Sequence, residues 1–183
     1  MNIMDQILRE ISSVIKEVDQ KEVNEAVRHI IAAKRIFVIG EGRSGLMAKA
    51  FAMRLMHLGC NSFVIGETIT PSIAGDDILI AISGSGNTHH VVWTAKKARE
   101  QGVFVQALST NADSELARNT DALIHVPAAT KFRRTGEPES IQPLGSLFDQ
   151  SAHIVFDAIC LIYEQMQKID MDVALKKHSN LEM

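Results

Sequence analysis

Residues 35–45 read RIFVIGEGRSG and residues 78–88 read ILIAISGSGNT, two apolar runs that each end in a loop of glycine and serine. An apolar run of this length is typical of a strand that is buried on both faces, as in a parallel sheet. Three further runs (62–65, 103–108 and 122–126) and three helix-like stretches (44–58, 88–101 and 114–119) complete the pattern. This alternation predicts a three-layer α/β/α fold with a five-stranded parallel sheet.

Some segments lie outside the alternation. Residues 3–18 and 22–33 have apolar side chains at helical spacing and predict two N-terminal helices. An isolated sheet does not need the first of them, so we interpret it as a lid on one sheet edge or as a contact between subunits. A strongly apolar helix is predicted from about residue 147 to residue 163. The loop 128–143 is longer than most connections in compact domains, which is often a sign of function, a solvated connection being the alternative.

Length and composition limit the class of protein. The 183 residues fit one domain, and 46% hydrophobic with 22% charged residues exclude a disordered chain. The net charge of −3 and the scattered Lys and Arg residues argue against nucleic-acid or membrane-surface partners. No apolar run approaches the roughly 18 residues of a membrane span, and the charges within residues 1–20 do not fit a signal peptide. Cys60 and Cys160 lack metal-ligand spacing and indicate reduced thiols, which predicts a cytoplasmic protein.

These observations predict a single domain over residues 1–183. Its expected parts are N-terminal helices (1–34), the sheet with its crossover helices (35–127), a loop (128–146) and a C-terminal helix with a tail (147–183).

The two glycine–serine loops form the candidate ligand site. In open parallel sheets, ligands bind beyond the carboxyl ends of the strands, where the strand order reverses. Glycines let backbone N–H groups approach a ligand, the N-terminus of the following helix attracts an anion, and hydroxyl groups add donors. The combination favours a phosphate monoester. The candidate ligands are Gly42, Arg43, Ser44, Ser83, Ser85, Asn87 and Thr88.

A dinucleotide site is the rival interpretation of the first loop. Residues 40–45 match G-x-G-x-x-G, and Glu67 follows about twenty residues later. However, the chain is too short for a full dinucleotide domain together with a catalytic domain, and the second loop would have no role. A P-loop is excluded, because neither loop contains Gly-Lys-Ser or Gly-Lys-Thr.

Longer stretches of the chain resemble a known family. The loop 83–88 is similar to the hydroxyl-rich phosphosugar loop of the sugar isomerase (SIS) domain, whose fold is flavodoxin-like. Within that superfamily the chain resembles the 6-phospho-3-hexuloisomerases, most specifically in residues 142–148 and 178–182. The matching segments are RSG (43–45), RLMHLG (54–59), GET (66–68), TPSI (70–73), SGSGNT (83–88), QPLGSLF (142–148) and HSNLE (178–182).

The resemblance implies an isomerase that interconverts D-arabino-3-hexulose 6-phosphate and D-fructose 6-phosphate in the ribulose monophosphate pathway of formaldehyde fixation. It also implies a homotetramer, a phosphosugar as the ligand and no cofactor. Two alternatives stay open: another aldose–ketose isomerase, of the arabinose 5-phosphate type, and a phosphosugar sensor without catalytic activity.

Moving a carbonyl between adjacent carbons requires a base within reach of both carbons and donors for the developing oxyanion. The resemblance leads us to expect glutamate as that base after residues 147–148, but the sequence has Asp149, which is one methylene shorter. Asp149 is the first candidate base, and capping of a helix N-terminus is its structural alternative. His57, at the end of a helix, is a candidate to shuttle a proton between the sugar oxygens or to open the ring, and interaction with the helix dipole is its structural alternative. His178, in the tail, is a third candidate for the base, and a frayed terminus is its alternative. His178 would act by reaching a neighbouring subunit. No metal-ligand constellation is evident in the sequence.

Overall fold

A computed structural model describes residues 2–181 of the chain. Five parallel strands form one sheet in the order β2-β1-β3-β4-β5. The strands are β1 (Ile36–Ile39), β2 (Ser62–Val64), β3 (Ile78–Ile82), β4 (Phe104–Ser109) and β5 (Ala122–His125). The helices are α1 (Ile3–Lys16), α2 (Gln20–Ala32), α3 (Gly42–His57), α4 (His89–Glu100), α5 (Glu115–Arg118), α6 (Ser146–Gln167) and α7 (Met171–Lys177). The predicted α/β fold with five parallel strands is confirmed.

The central strands are apolar throughout because helices cover both faces of the sheet. Every residue of β1 and of β3 is buried. Alternate residues along each strand point to opposite faces, so Val38 packs with α2, α3 and α6, whereas Phe37 packs with α4 and α5. The unbroken apolar runs in the sequence therefore reflect two cores rather than one.

The segments outside the alternation pack mainly on α6. Helix α1 buries Ile11 and Val14 against it, and α2 lies between α6 and β5. Helix α6 extends four residues beyond the predicted end at residue 163. Its C-cap is Lys168, whose backbone is left-handed at φ 53°. Helix α7 lies where the sequence predicts only a tail, because its seven residues are too few to show a helical period.

The strand order places the two glycine–serine loops side by side. β1 and β3 are neighbours in the sheet, but the chain leaves β1 to form β2 at the edge, so the order reverses between them. The loops that follow β1 and β3 meet at this switch point, as expected for a ligand site in an open parallel sheet. Within residues 2–181, no helix is long and apolar enough to cross a membrane.

Candidate active site

The two loops and the segment before α6 enclose a cavity of about 370 Å³. Residues 41–44 form one wall, and Gly84, Ser85 and Thr88 form the next. A third wall comes from Gly145, Phe148 and Asp149 around the start of α6. The remaining lining residues are Thr130, Lys131, Phe132 and Leu144. Five of the seven predicted ligand residues therefore line one cavity, together with the predicted base.

Asp149 lies in the first turn of α6 and is 5% exposed. Its Oδ1 accepts a hydrogen bond of 2.8 Å from the Ser44 hydroxyl, and its Oδ2 accepts one of 3.3 Å from Nε of Arg43. Burial raises the pKa of the Asp149 carboxyl, and the bonds from Ser44 and Arg43 oppose that rise only in part. A carboxylate with a raised pKa is a stronger base than an exposed aspartate, which is what proton abstraction requires.

The hydroxyl-rich loop contains both lining residues and residues that hold the loop together. Ser85 and Thr88 face the cavity. Ser83 is 2% exposed and does not line it. The Ser83 hydroxyl shares a hydrogen bond of 2.8 Å with that of Thr88 and accepts another from the Gly86 N–H. Ser83 therefore orients the Thr88 hydroxyl and closes the turn of the loop, and it does not face the cavity.

Asn87 also lies outside the cavity lining. Its Oδ1 accepts a hydrogen bond of 3.0 Å from the backbone N–H of Glu115, the first residue of α5. The loop after β3 is thereby tied to the start of α5. For Asn87, as for Ser83, sequence spacing finds the right loop but not the direction of the side chain.

Two glycines in these loops are required by their surroundings. Gly42 begins α3 with φ +58°, a conformation that side-chain-bearing residues rarely adopt. A Cβ atom on Gly84 would lie 2.9 Å from the ring of Phe148. Because Phe148 precedes Asp149, the close packing of α6 on Gly84 helps to bring the carboxylate to the loop.

Three helices begin at the cavity, and none of them has a side-chain cap. The N-cap residues are Glu41 for α3, Thr88 for α4 and Gly145 for α6. None of their side chains accepts a hydrogen bond from a backbone N–H in the first turn of its helix. Helices that begin elsewhere in residues 2–181 are capped, by Asn2, Asp19, Ser114 and Asp170. N–H groups without a side-chain cap, together with the positive ends of three helix dipoles at one cavity, make a strong anion site.

The loop 128–143 is unusually long, but its sequence alone points to no ligand residue within it. In the structure Thr130, Lys131 and Phe132 form part of the cavity wall. The Thr130 backbone N–H and hydroxyl both donate to Glu137, at 2.7 Å each, which closes the loop on itself. Lys131 brings a second cation to the cavity besides Arg43, and only the unusual length of the loop could have pointed to it.

The two candidate histidines lie elsewhere. His57 is the last residue of α3, which places it about 22 Å along that helix from Gly42 at 1.5 Å per residue. Its ring stacks on that of His178, with centroids 5.3 Å apart. His57 is buried, and this burial, with smaller contributions from Arg54 and His178, lowers its pKa. Within one chain the structure therefore joins His57 to His178 but separates both from Asp149.

Comparisons with known proteins show which sequences and folds this chain is similar to. The SIS domain profile matches residues 29–154. A protein of Bacillus subtilis (strain 168) named 3-hexulose-6-phosphate isomerase is 38% identical over 97% of this chain and 96% of its own length. A protein of Mycobacterium gastri with the same name is 38% identical over 99% of this chain and 90% of its own.

The fold is also similar to that of a solved structure. A hypothetical protein of Methanococcus jannaschii, for which a molecular function of 3-hexulose-6-phosphate isomerase was inferred, superposes with a TM-score of 0.86. The two chains are 32% identical, and the match covers 98% of each.

Proposed function

The chain belongs to the SIS domain family and, within it, to the 3-hexulose-6-phosphate isomerases, and from this premise we propose that it interconverts D-arabino-3-hexulose 6-phosphate and D-fructose 6-phosphate. The observation that carries the proposal is the buried carboxylate of Asp149, which faces a cavity bordered by three uncapped helix N-termini. The same cavity thus offers hydroxyl and backbone N–H donors for a phosphate and a carboxylate that can act as a base.

The phosphate group binds at the loop after β3. The Ser85 and Thr88 hydroxyls donate to its oxygens, and the uncapped N-terminus of α4 adds backbone N–H groups and a favourable dipole. Ser83 supports Thr88 through their shared hydrogen bond, and Asn87 fixes the loop to α5. Lys131 and Arg43 add positive charge at the cavity, which holds the dianionic substrate.

Asp149 removes the proton from C2 of the 3-ketose, and the electron pair of that C–H bond forms the C2–C3 double bond of an enediolate. The same carboxyl group returns the proton to C3, while the O2 proton passes to O3 and the carbonyl re-forms at C2. One base serves both carbons because they are directly bonded. Ser44 and Arg43 hold the Asp149 carboxylate by its two oxygens and so orient it toward the substrate. Gly42, at the start of α3, belongs to the same wall.

A buried carboxylate with a raised pKa favours an enzyme over a sensor. A sensor has no use for a base inside its ligand cavity and would avoid the cost of burying one.

The functional test is a coupled assay that reports fructose 6-phosphate as it forms from D-arabino-3-hexulose 6-phosphate, with arabinose 5-phosphate as a parallel substrate. We expect turnover of the hexulose phosphate and little of the pentose phosphate. Faster turnover of arabinose 5-phosphate would show that the proposed substrate is wrong and that the enzyme is of the arabinose 5-phosphate type. Binding of both sugars without turnover of either would identify a sensor.

The phosphate assignment predicts a selective loss of substrate affinity in Ser85→Ala. A hydrogen bond to a charged group contributes about 1.5–3 kcal/mol, so KM should rise by roughly 10- to 100-fold while kcat changes little. Steady-state kinetics measure both constants. Ser72→Ala is the matched control, because Ser72 is exposed in the loop between β2 and β3, outside the cavity lining. An unchanged KM in Ser85→Ala would remove this hydroxyl from the phosphate site.

The hydrogen bond from Ser44 to Asp149 predicts a shift in the pH dependence. This bond stabilises the ionised carboxylate, so its loss in Ser44→Ala raises the pKa of Asp149 further. The base must be ionised to accept a proton, and the acidic limb of kcat/KM should therefore move to higher pH. A pH–rate profile of both proteins measures the shift, and an acidic limb that stays in place would argue against Asp149 as the titrating base.

The proposal includes a homotetramer in the cytoplasm. Three helices present exposed apolar side chains that no element of the described chain covers: Ile3, Met4 and Leu8 on α1, Leu46 and Met53 on α3, and Ile154 and Leu161 on α6. Surface of this kind is typical of obligate interfaces. Both cysteines are free, as expected in a reducing compartment.

Light scattering at micromolar concentration should give four times the chain mass of 20.2 kDa. A substitution of Leu161 by glutamate should lower the oligomeric state, because it places charge in a contact that excludes water. The exposed Glu25→Lys on α2 is the control. A monodisperse monomer of the unsubstituted chain would contradict the assembly.

A further inference from the structure

Glu10 on helix α1 binds a segment of the chain that is 130 residues away in sequence. Its carboxylate accepts hydrogen bonds from the Ser140 hydroxyl at 2.7 Å, the Ile141 backbone N–H at 2.8 Å and the Gln142 side-chain amide at 3.1 Å. Burial by itself would raise the pKa of Glu10, but the three bonds and the nearby positive charge of Arg133 together bring it below its ordinary value. The carboxylate is thus ionised at neutral pH, and it gathers three donors from consecutive residues.

The bound segment is also fixed from its other side. The Arg133 guanidinium donates to the Gln142 carbonyl oxygen, and the Ser140 hydroxyl accepts a bond of 3.0 Å from the Gln142 backbone N–H. Gln142 is 5% exposed, so its side-chain amide depends on Glu10 for a partner. Removing Glu10 would leave that buried amide unsatisfied.

A short stretch of chain connects this cluster to the catalytic carboxylate. Leu144 follows with a left-handed backbone at φ 53°, which a leucine adopts only when its surroundings impose it. Leu144 and Gly145 both line the cavity, and the Asp149 N–H donates to the Gly145 carbonyl at 3.0 Å. The position of residues 140–142 therefore sets both a wall of the cavity and the first turn of α6.

We propose that Glu10 is a positioning residue, which holds the segment 140–145 in place and thereby aligns Asp149 with the substrate. The N-terminal helix then has a role in catalysis without touching the substrate. This inference rests on the proposed isomerase function where activity is measured. Its structural part rests only on the hydrogen bonds of Glu10.

Apolar packing holds α1 on the protein without Glu10. A positioning role of Glu10 can therefore be tested separately from its contribution to stability. Ile11 and Val14 are buried against the core beside Glu10. A substitution that keeps the helix docked but removes the carboxylate should therefore affect the segment 140–145 more than the overall stability.

The test compares Glu10→Gln, Gln142→Glu and the double exchange Glu10→Gln/Gln142→Glu. Glu10→Gln replaces an acceptor oxygen with an NH2 group that faces donors, and Gln142→Glu places two carboxylates together. Each single change should lower kcat/KM about 10- to 100-fold, because a displacement near 1 Å can cost on the order of 100-fold. The double exchange restores a donor–acceptor pair with reversed roles and keeps a negative charge beside Arg133, so it should recover most of the loss.

Glu22→Gln is the matched control. Glu22, on the neighbouring helix α2, also accepts a tertiary hydrogen bond, at 2.8 Å from the His125 backbone N–H, but it does not hold the segment 140–145. It should lower the melting temperature about as much as Glu10→Gln while leaving kcat/KM near the original value. Equal kinetic losses in the two variants, or no recovery in the double exchange, would overturn the positioning role.

Hydrogen exchange gives a readout that does not depend on turnover. In Glu10→Gln the backbone amides of residues 141, 142 and 144–149 should exchange faster than in the unsubstituted protein, with those of α4 unchanged. Unchanged exchange at 141–149 would refute the proposal by itself. An unsubstituted chain that turns over no hexulose phosphate would refute the proposed function instead, so the two failures are distinguishable.

Discussion

Asp149→Asn is expected to lower kcat by about 10²- to 10⁴-fold, the usual contribution of a general base, with little change in KM. The amide has nearly the same shape as the carboxylate, so it fills the same space between Ser44 and Arg43, but it cannot accept the C2 proton. Steady-state kinetics with the hexulose phosphate measure the effect. Asp113→Asn, an exposed aspartate outside the cavity, is the control and should be fully active. Near-normal turnover in Asp149→Asn would exclude this residue as the base.

A second substitution at this position addresses the shortened side chain. From the family resemblance we expect glutamate at this position, and Asp149→Glu introduces that residue. If the backbone has not compensated for the missing methylene, the added reach raises kcat. If it has compensated, the extra methylene crowds the sugar and kcat falls. Exchange of the C3 hydrogen of fructose 6-phosphate with the solvent shows, in either case, whether the carboxylate still moves the proton.

The sequence predicts the sheet and both loops because these features are local. An apolar run such as 78–82 followed by residues 83–88 contains within eleven residues all that is needed to recognise a buried strand and its ligand loop. The site is predictable to the same extent, since Ser85, Thr88 and Ser44 are found by their place in those loops. Whether a hydroxyl faces the cavity, as in Ser85, or the loop interior, as in Ser83, depends on side-chain directions that spacing does not encode.

Contacts between distant parts of the chain are what the sequence does not reveal. Ser44 and Asp149 are separated by 105 residues, and no local pattern links them. Likewise, the spacing of apolar residues in α1 predicts a helix but gives no reason to single out Glu10 among its charged residues. The uncapped starts of α3, α4 and α6 can be read as a group only once the fold brings them to one cavity.

The two histidines are the part of the predicted site that one chain does not assemble. His57 and His178 stack at the end of α3 opposite to the cavity, so they enter the reaction only if a neighbouring subunit brings its own pair to the site. The exposed Met53 and Met56 beside His57 place this pair next to apolar surface of the kind that forms subunit contacts. His178 is exposed, whereas His57 is buried beneath it, so His178 rather than His57 is our candidate for a contact with a neighbouring subunit.

Mixing two inactive variants tests this arrangement. His178→Gln should lower kcat by about 10²-fold or more if the imidazole moves the hydroxyl proton of the substrate. When His178→Gln and Asp149→Asn subunits are mixed, unfolded and refolded together, about a quarter of the sites in random symmetric assemblies receive both original residues. Turnover should therefore return to about that fraction, which a rate measurement detects easily against two nearly inactive parents. Refolding each variant alone is the control and should recover no activity. If His178→Gln loses activity and mixing recovers none, both groups act within the same chain and the shared site is wrong. The tail would then have to refold, because His178 stacks on His57 at the end of α3 far from Asp149.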